Sequence, residues 1–220
     1  FTTNTKTGCK YQLVEFTNKS NNATSFAWDL GNGNTSDLPN PSAIYTEPGT
    51  YTVTLKINGG TSGDLVYSED ITIYPLPVPS IGVDVKEGCA PLDVTLSSTV
   101  ESVSINNISS AAINHYQWSF GEQLPSQITT SSDLHLSGIT STIDIVRLKV
   151  TDVQGCEGNF DLVNPFKVFP RPEVSYSYHK TTPCQPGTVN FSASVTGNSN
   201  IASYQWKING TVQANTTADF

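Results

Sequence analysis

The chain carries Phe26-Ala27-Trp28-Asp29-Leu30-Gly31-Asn32-Gly33-Asn34-Thr35-Ser36 and, shortly after, Pro41-Ser42-Ala43-Ile44-Tyr45-Thr46-Glu47-Pro48-Gly49-Thr50-Tyr51-Thr52-Val53-Thr54-Leu55-Lys56-Ile57. The first stretch reads as a strand bearing a tryptophan and running into a Gly/Asn turn. The second leaves a Pro-Gly turn and places Tyr51, Val53, Leu55 and Ile57 on one face, alternating with polar residues. Strict period two marks a half-buried strand, because successive side chains of an extended backbone point to opposite faces.

The same pattern returns along the chain. Tyr116-Gln117-Trp118-Ser119-Phe120 and Tyr204-Gln205-Trp206-Lys207-Ile208 repeat the tryptophan strand at spacings of 90 and 88 residues. Ile71-Thr72-Ile73-Tyr74-Pro75-Leu76-Pro77 and Phe166-Lys167-Val168-Phe169-Pro170-Arg171-Pro172 are alternating strands stopped by Pro-x-Pro. Proline donates no ladder hydrogen bond and fixes φ, so each strand ends there and the joint stiffens. Three units follow from this: 1–75, 80–169 and 173–220, with linkers around 75–79 and 170–172. The third stops soon after Trp206 and is expected to lack about half its strands. The chain is therefore read as an internal stretch of a longer protein, beginning before Phe1 and continuing beyond Phe220.

No segment shows a helical period. Strand-like segments recur every eight to fifteen residues between Gly, Pro, Asn and Ser turns, which predicts an all-β fold of tandem antiparallel β-sandwiches, the last one truncated. The composition agrees: 220 residues with 36% hydrophobic and 14% charged content suit small, thin cores with wet outer faces better than one large core.

The net charge of −8 and the absence of any Lys/Arg cluster disfavour a nucleic-acid partner. No apolar run reaches the roughly 18 residues needed to cross a bilayer, so no membrane insertion is expected in this segment. Sequence motifs for a nucleophile elbow, a zinc protease or a phosphate-cradling loop do not occur. His115, His135 and His179 stand in unrelated contexts without a neighbouring Cys or paired carboxylate, and read as surface or turn residues.

The turn Trp28-Asp29-Leu30-Gly31-Asn32-Gly33, followed by Tyr45-x-x-Pro48-Gly49-x-Tyr51-x-Val53-x-Leu55, resembles the PKD (polycystic kidney disease) domain. Leu30 stands where that family usually has Phe, and Asn32 where it has Asp. The second unit resembles it through Trp118-Ser119-Phe120-Gly121 and through Val150-Thr151-Asp152-x-x-Gly155-Cys156; the third shows Trp206 and little else. The resemblance implies Ig-like sandwiches. Openings of the type Gly88-Cys89-x-Pro91-Leu92 combined with Gly-Cys endings are similar to tandem repeats of large Bacteroidetes surface proteins, including gliding-motility adhesins secreted by the type IX system.

Trp28, Trp118 and Trp206 alternate with apolar or aromatic neighbours and are expected to be structural core residues. Cys9, Cys89 and Cys184 follow a unit opening, whereas Cys156 follows a late strand. A Cys89–Cys156 disulfide within the second unit is expected; it would close a loop of 67 residues, worth roughly 4 kcal/mol in the chain-entropy model. Gly63 holds the place of Cys156 in the first unit, leaving Cys9 without a counterpart there, and Cys184 would pair beyond Phe220. Structural use of the cysteines suits an oxidising compartment, and the resemblance implies an extracellular setting at a bacterial cell surface. Asp29, Asn32, Asn34 and Asp37 crowd one turn; they are Ca²⁺ candidates, although the same residue types also build tight turns. No other cofactor is expected.

The functional expectation is a non-enzymatic spacer or stalk with adhesive capacity. Its partners would be neighbouring repeats of the same chain, surface polysaccharide or other cell-surface proteins. The rival reading is an accessory binding module of a secreted polysaccharide- or protein-degrading enzyme, whose mark would be an exposed aromatic row drawn from Tyr11, Tyr45, Tyr67, Tyr176 and Tyr178.

Overall fold

The computed structural model describes residues 1–58, 63–180, 189–197, 201 and 203–213. All regular structure among them is β, and the architecture is that of tandem Ig-like sandwiches. None of the described residues forms a helix long and apolar enough to cross a membrane. The strands are β1 Thr2–Thr3, β2 Thr7–Cys9, β3 Gln12–Thr17, β4 Phe26–Asp29, β5 Thr35–Ser36, β6 Ser42–Tyr45, β7 Gly49–Asn58 and β8 Asp64–Tyr74. They continue as β9 Val78–Val83, β10 Glu87–Cys89, β11 Leu92–Glu101, β12 Ser104–Ile105, β13 Ile108–Ser109, β14 Ile113–Ser119, β15 Gln127–Thr129, β16 Asp133–Ile139, β17 Ile143–Asp152 and β18 Glu157–Phe169. The last four are β19 Glu173–Lys180, β20 Val189–Thr196, β21 Lys207–Ile208 and β22 Thr211–Val212.

Two compact units emerge. The first comprises Phe1–Gly82, Leu96–Leu134 and Ile145–Val163; the second comprises Val83–Thr95, His135–Asp144 and Asn164–Phe220.

In the first unit, residues 1–74 form a sheet of order β2-β8-β7-β4-β5 facing a sheet of order β1-β3-β6. The alternation read from the sequence is what closes them. Val53 and Leu55 of β7, Val14 and Phe16 of β3, and Ile71 and Ile73 of β8 all turn inward to one cluster. The outward positions of β7 carry polar cross-strand pairs instead: Thr52 Oγ1 donates to Asp70 Oδ1 at 2.7 Å, and the hydroxyls of Thr54 and Ser68 lie 2.9 Å apart. Such pairs hold register on a wet face. Trp28 is 2% exposed, packed on Phe16 and Phe1 at centroid distances of 5.7 and 4.9 Å, and its indole N–H donates to Leu38 O at 2.9 Å. The indole thus buries its apolar rings without leaving its donor unmade.

The turn after β4 explains the glycine at 31. Its φ is +73°, and a Cβ there would come 2.7 Å from the backbone oxygen of Thr52. Only glycine adopts that conformation at that approach without displacing β7. One residue earlier, the carbonyl of Leu30 accepts the buried Tyr45 hydroxyl at 2.7 Å, tying β6 to the turn. Burial, with Tyr51 and Asp29 as smaller causes, pushes the Tyr45 pKa up to about 12. A phenol whose folded pKa lies above its unfolded value near 10 contributes stability that is complete below pH 10 and lost as pH rises towards 12. Urea titrations at pH 8 and pH 11.5 should therefore differ by on the order of 2 kcal/mol, and Tyr45→Phe should remove most of that difference. An unchanged pH dependence in Tyr45→Phe would refute this account.

Later in the first unit, β14 pairs with β15 and with β17, the latter register running from Ile113↔Asp152 to Ser119↔Arg147 with an irregularity between Ile113 and His115. Trp118 and Phe120 are both fully buried. The sheets built from residues 78–169 have the orders β10-β18-β17-β14-β15 and β16-β11-β9.

In the second unit, β10 runs parallel to β18, β19 and β20 form a long antiparallel hairpin, and β21 pairs with β22. Trp206 departs from the sequence expectation of an enclosed core indole. It is half-buried and packs on Phe191 at a centroid distance of 6.0 Å, with Tyr178 beyond at 6.3 Å from Phe191.

Candidate functional site at the first joint

Pro75-Leu76-Pro77 stops β8 before β9 opens, and the residues that converge on this joint all belong to the first unit. The strand β2 lies parallel to the end of β8, with Cys9 opposite Tyr74. The Lys10 N–H extends the ladder, donating to Tyr74 O at 3.0 Å. This places the Cys9 side chain at the end of the sheet nearest the joint.

The partner sulfur comes from the turn between β17 and β18. Asp152 is 1% exposed, and its Oδ1 accepts the N–H groups of Gln154 at 2.9 Å and Cys156 at 2.8 Å. Its own N–H donates to Cys156 O at 3.0 Å, while Gly155 N–H donates to Asp152 O at 3.1 Å. A carboxylate accepting two backbone donors fixes a turn more firmly than a neutral side chain does. The turn holds Cys156, fully buried, against Cys9: the two form a disulfide with Cα atoms 5.5 Å apart.

Two further contacts close the joint. Gly158 follows the turn where a Cβ would overlap the carbonyl oxygen of Pro77 and lie 3.0 Å from Pro79 Cδ, so only a hydrogen fits. Asn106 Nδ2, in the turn between β12 and β13, donates to Pro48 O at 2.9 Å. The joint is thus gripped by a covalent bond, a backbone contact and a side-chain hydrogen bond.

This corrects the expected Cys89–Cys156 pairing: Cys156 is bonded to Cys9, and Cys89 is a free, exposed thiol. Strand length supplies the reason. Cys89 lies opposite Phe169 at the far end of β18, and Cys156 immediately precedes Glu157 at its start. Thirteen extended residues separate those ends by roughly 40 Å, whereas a disulfide needs Cα atoms within about 7 Å. Cys184 lies outside the described residues.

Of the Ca²⁺ candidates Asp29, Asn32, Asn34 and Asp37, the side chains of Asp29 and Asn32 act as turn builders. Asp29 Oδ1 accepts Gly31 N–H at 2.9 Å, and Asn32 Oδ1 accepts Asn34 N–H at 3.2 Å. Leu30 N–H donates to Asn34 O at 2.9 Å across the same turn. No cluster of three His, Cys, Asp or Glu side chains suited to a metal occurs among the described residues.

Of the five aromatics expected as a binding row, Tyr11, Tyr67, Tyr176 and Tyr178 are exposed and Tyr45 is buried. Tyr45 is a core residue at 1% exposure, and Tyr67 packs edge-on against Phe1 at 5.1 Å. Tyr11 has φ +72° and carries Lys10 Nζ over its ring at 5.4 Å. In the second unit, Val174 and Tyr176 sit opposite Val195 and Ala193, and with Phe191 and Trp206 they line an open apolar groove of about 680 Å³.

Comparison with known proteins agrees with the first sandwich. Residues 2–73 match the PKD domain family model. Murine CEACAM1b is similar in structure with a TM-score of 0.37 at 12% identity, covering 76% of this chain and 98% of that chain. The fibronectin(III)-like modules of Clostridium thermocellum CbhA give a TM-score of 0.37 at 8% identity, covering 75% and 87%. The eight N-terminal Ig domains of Down Syndrome Cell Adhesion Molecule give 0.40 at 13% identity, covering 94% of this chain and 33% of that chain. No curated protein matches the chain.

Proposed function

We propose that the chain is a non-enzymatic segment of a large secreted cell-surface protein, in which tandem modules over 1–75, 80–169 and 173–220 act as a spacer or stalk with adhesive capacity. A gliding-motility adhesin of the Bacteroidetes type, exported by the type IX system to the outer face of the cell, is the context most similar to its sequence pattern. Neighbouring repeats are its first partners, and surface polysaccharide or other surface proteins its outer ones.

The observation that supports this reading is the bond between Cys9 and Cys156, which crosses the boundary between two sequence repeats. A joint fastened in this way resists bending, which suits a spacer. Disulfide use also favours an oxidising compartment outside the cytoplasm. The PKD match over residues 2–73 is in keeping with a spacer module.

Small-angle scattering on the whole oxidised chain tests it. A compact chain of 220 residues would have a radius of gyration of about 17 Å. A stalk should give a value well above that, and a value near it would sink the spacer reading. Retention on insoluble polysaccharide or collagen would instead favour the accessory-module reading.

A further inference from the structure

Cys89 occupies in the second unit the position that Cys9 occupies in the first. Thr7-Gly8-Cys9 runs parallel to Thr72-Ile73-Tyr74, and Glu87-Gly88-Cys89 runs parallel to Lys167-Val168-Phe169. The flanking hydrogen bonds coincide: Thr72 N–H to Lys6 O and Lys167 N–H to Lys86 O are both 2.9 Å, while Lys10 N–H to Tyr74 O is 3.0 Å and Ala90 N–H to Phe169 O is 2.8 Å. Even the glycine before each cysteine has the same neighbour, the side chain of the residue four positions on, Gln12 in one case and Leu92 in the other. Each partner strand then ends in Pro-x-Pro, at 75–77 and at 170–172.

Within this duplicated arrangement the two sulfurs differ in state. Cys9 is bonded to the Asp-x-x-Gly-Cys turn of the repeat that follows its joint, and Cys89 is free and exposed. We propose that Cys89 is the acceptor half of a second staple, filled by a cysteine that a β-sandwich repeat following the 170–172 joint presents on a turn like Asp152–Cys156. In the second repeat that cysteine comes 38 residues after the strand tryptophan. The same interval after Trp206 falls beyond Phe220, so the cysteine in question is not Cys184. Bond formation removes two protons and two electrons from the two thiols; a low-molecular-weight disulfide such as oxidised glutathione takes both and leaves as two thiols.

The test supplies the missing turn from the protein itself. Residues 1–172 are followed by a second copy of residues 78–169 in which the copied Cys89 is replaced by serine, so that a complete repeat stands after the second joint and the chain holds a single Cys89. The chain is oxidised with glutathione disulfide, alkylated, and mapped by non-reducing peptide mass spectrometry beside the unaltered 220-residue chain. Cys89 should be linked to the grafted Cys156 copy and almost unalkylated, and it should become fully alkylatable when that one grafted cysteine is replaced by serine. In the 220-residue chain Cys89 should be alkylated. A Cys89 that stays free in the extended chain overturns the proposal, as does a Cys89–Cys184 bond in the 220-residue chain. Loss of Cys9–Cys156 in both maps would instead strike at the joint on which the spacer reading rests.

Discussion

Reduction of the Cys9–Cys156 bond should lower the stability of the first unit more than any other single change outside its core. The bond closes a separation of 147 residues. In the chain-entropy model a loop of that length restricts the unfolded ensemble by about 5 kcal/mol, an upper value because strain and residual unfolded structure reduce it. Guanidinium unfolding of the whole chain, followed by far-ultraviolet circular dichroism, should show the first unit's transition move to lower denaturant on adding dithiothreitol. Cys156→Ser should reproduce the shift and abolish the response to reductant. Because the bond couples segments drawn from two sequence repeats, the transition should also broaden or split once it is gone. A Cys156→Ser chain that unfolds at the same midpoint as the oxidised parent would show that the bond is incidental.

Trp28→Ala should cost about 3–5 kcal/mol, the usual range for emptying a large aromatic from a packed core. The indole is enclosed by Phe16 and Phe1 and spends its N–H on Leu38 O, so alanine leaves both a void and an unpaired carbonyl. The parallel substitution Trp206→Ala should cost under about 1 kcal/mol, since the indole is half-buried beside an open groove and the surroundings can relax. The contrast is the informative result. Equal losses at the two positions would mean that Trp206 is as enclosed as Trp28, contrary to the structure. Urea unfolding of the two variants and the parent, compared at equal m value, decides it.

Much of this architecture could be read from the chain alone, because period-two alternation and proline punctuation are local signals. The inward set Val53, Leu55, Ile71 and Ile73 and the strand ends at Tyr74 and Phe169 follow from such signals. Disulfide connectivity does not. It depends on which strand ends meet in space, and here β18 carries its two ends far apart, so that the cysteine near one end cannot reach the cysteine beside the other. A clue was nonetheless present: Gly63 stands where the first repeat would need a late cysteine, so Cys9 has no partner in its own repeat. Asp152 was visible only as part of a motif; that its carboxylate builds the turn beneath Cys156 required coordinates, as did the fit of Gly158 against Pro77. Tyr45, an expected exposed aromatic, sits on the inward face of β6, a face that the short Ser42–Tyr45 strand is too brief to declare by periodicity.

The sulfur bridge also redraws the route that tension takes along the polypeptide. A pull applied at the two ends enters at Cys9 and leaves at Cys156, passing through the bridge, so the residues between them are excluded from the load. Unravelling under tension can then release only the 8 residues before Cys9 and the 64 after Cys156. The 147 residues it spans, worth roughly 500 Å when fully drawn out, stay withheld unless a reductant cuts the link. The stretch from Cys9 to Cys156 is therefore nearly inextensible when oxidised and yielding when reduced.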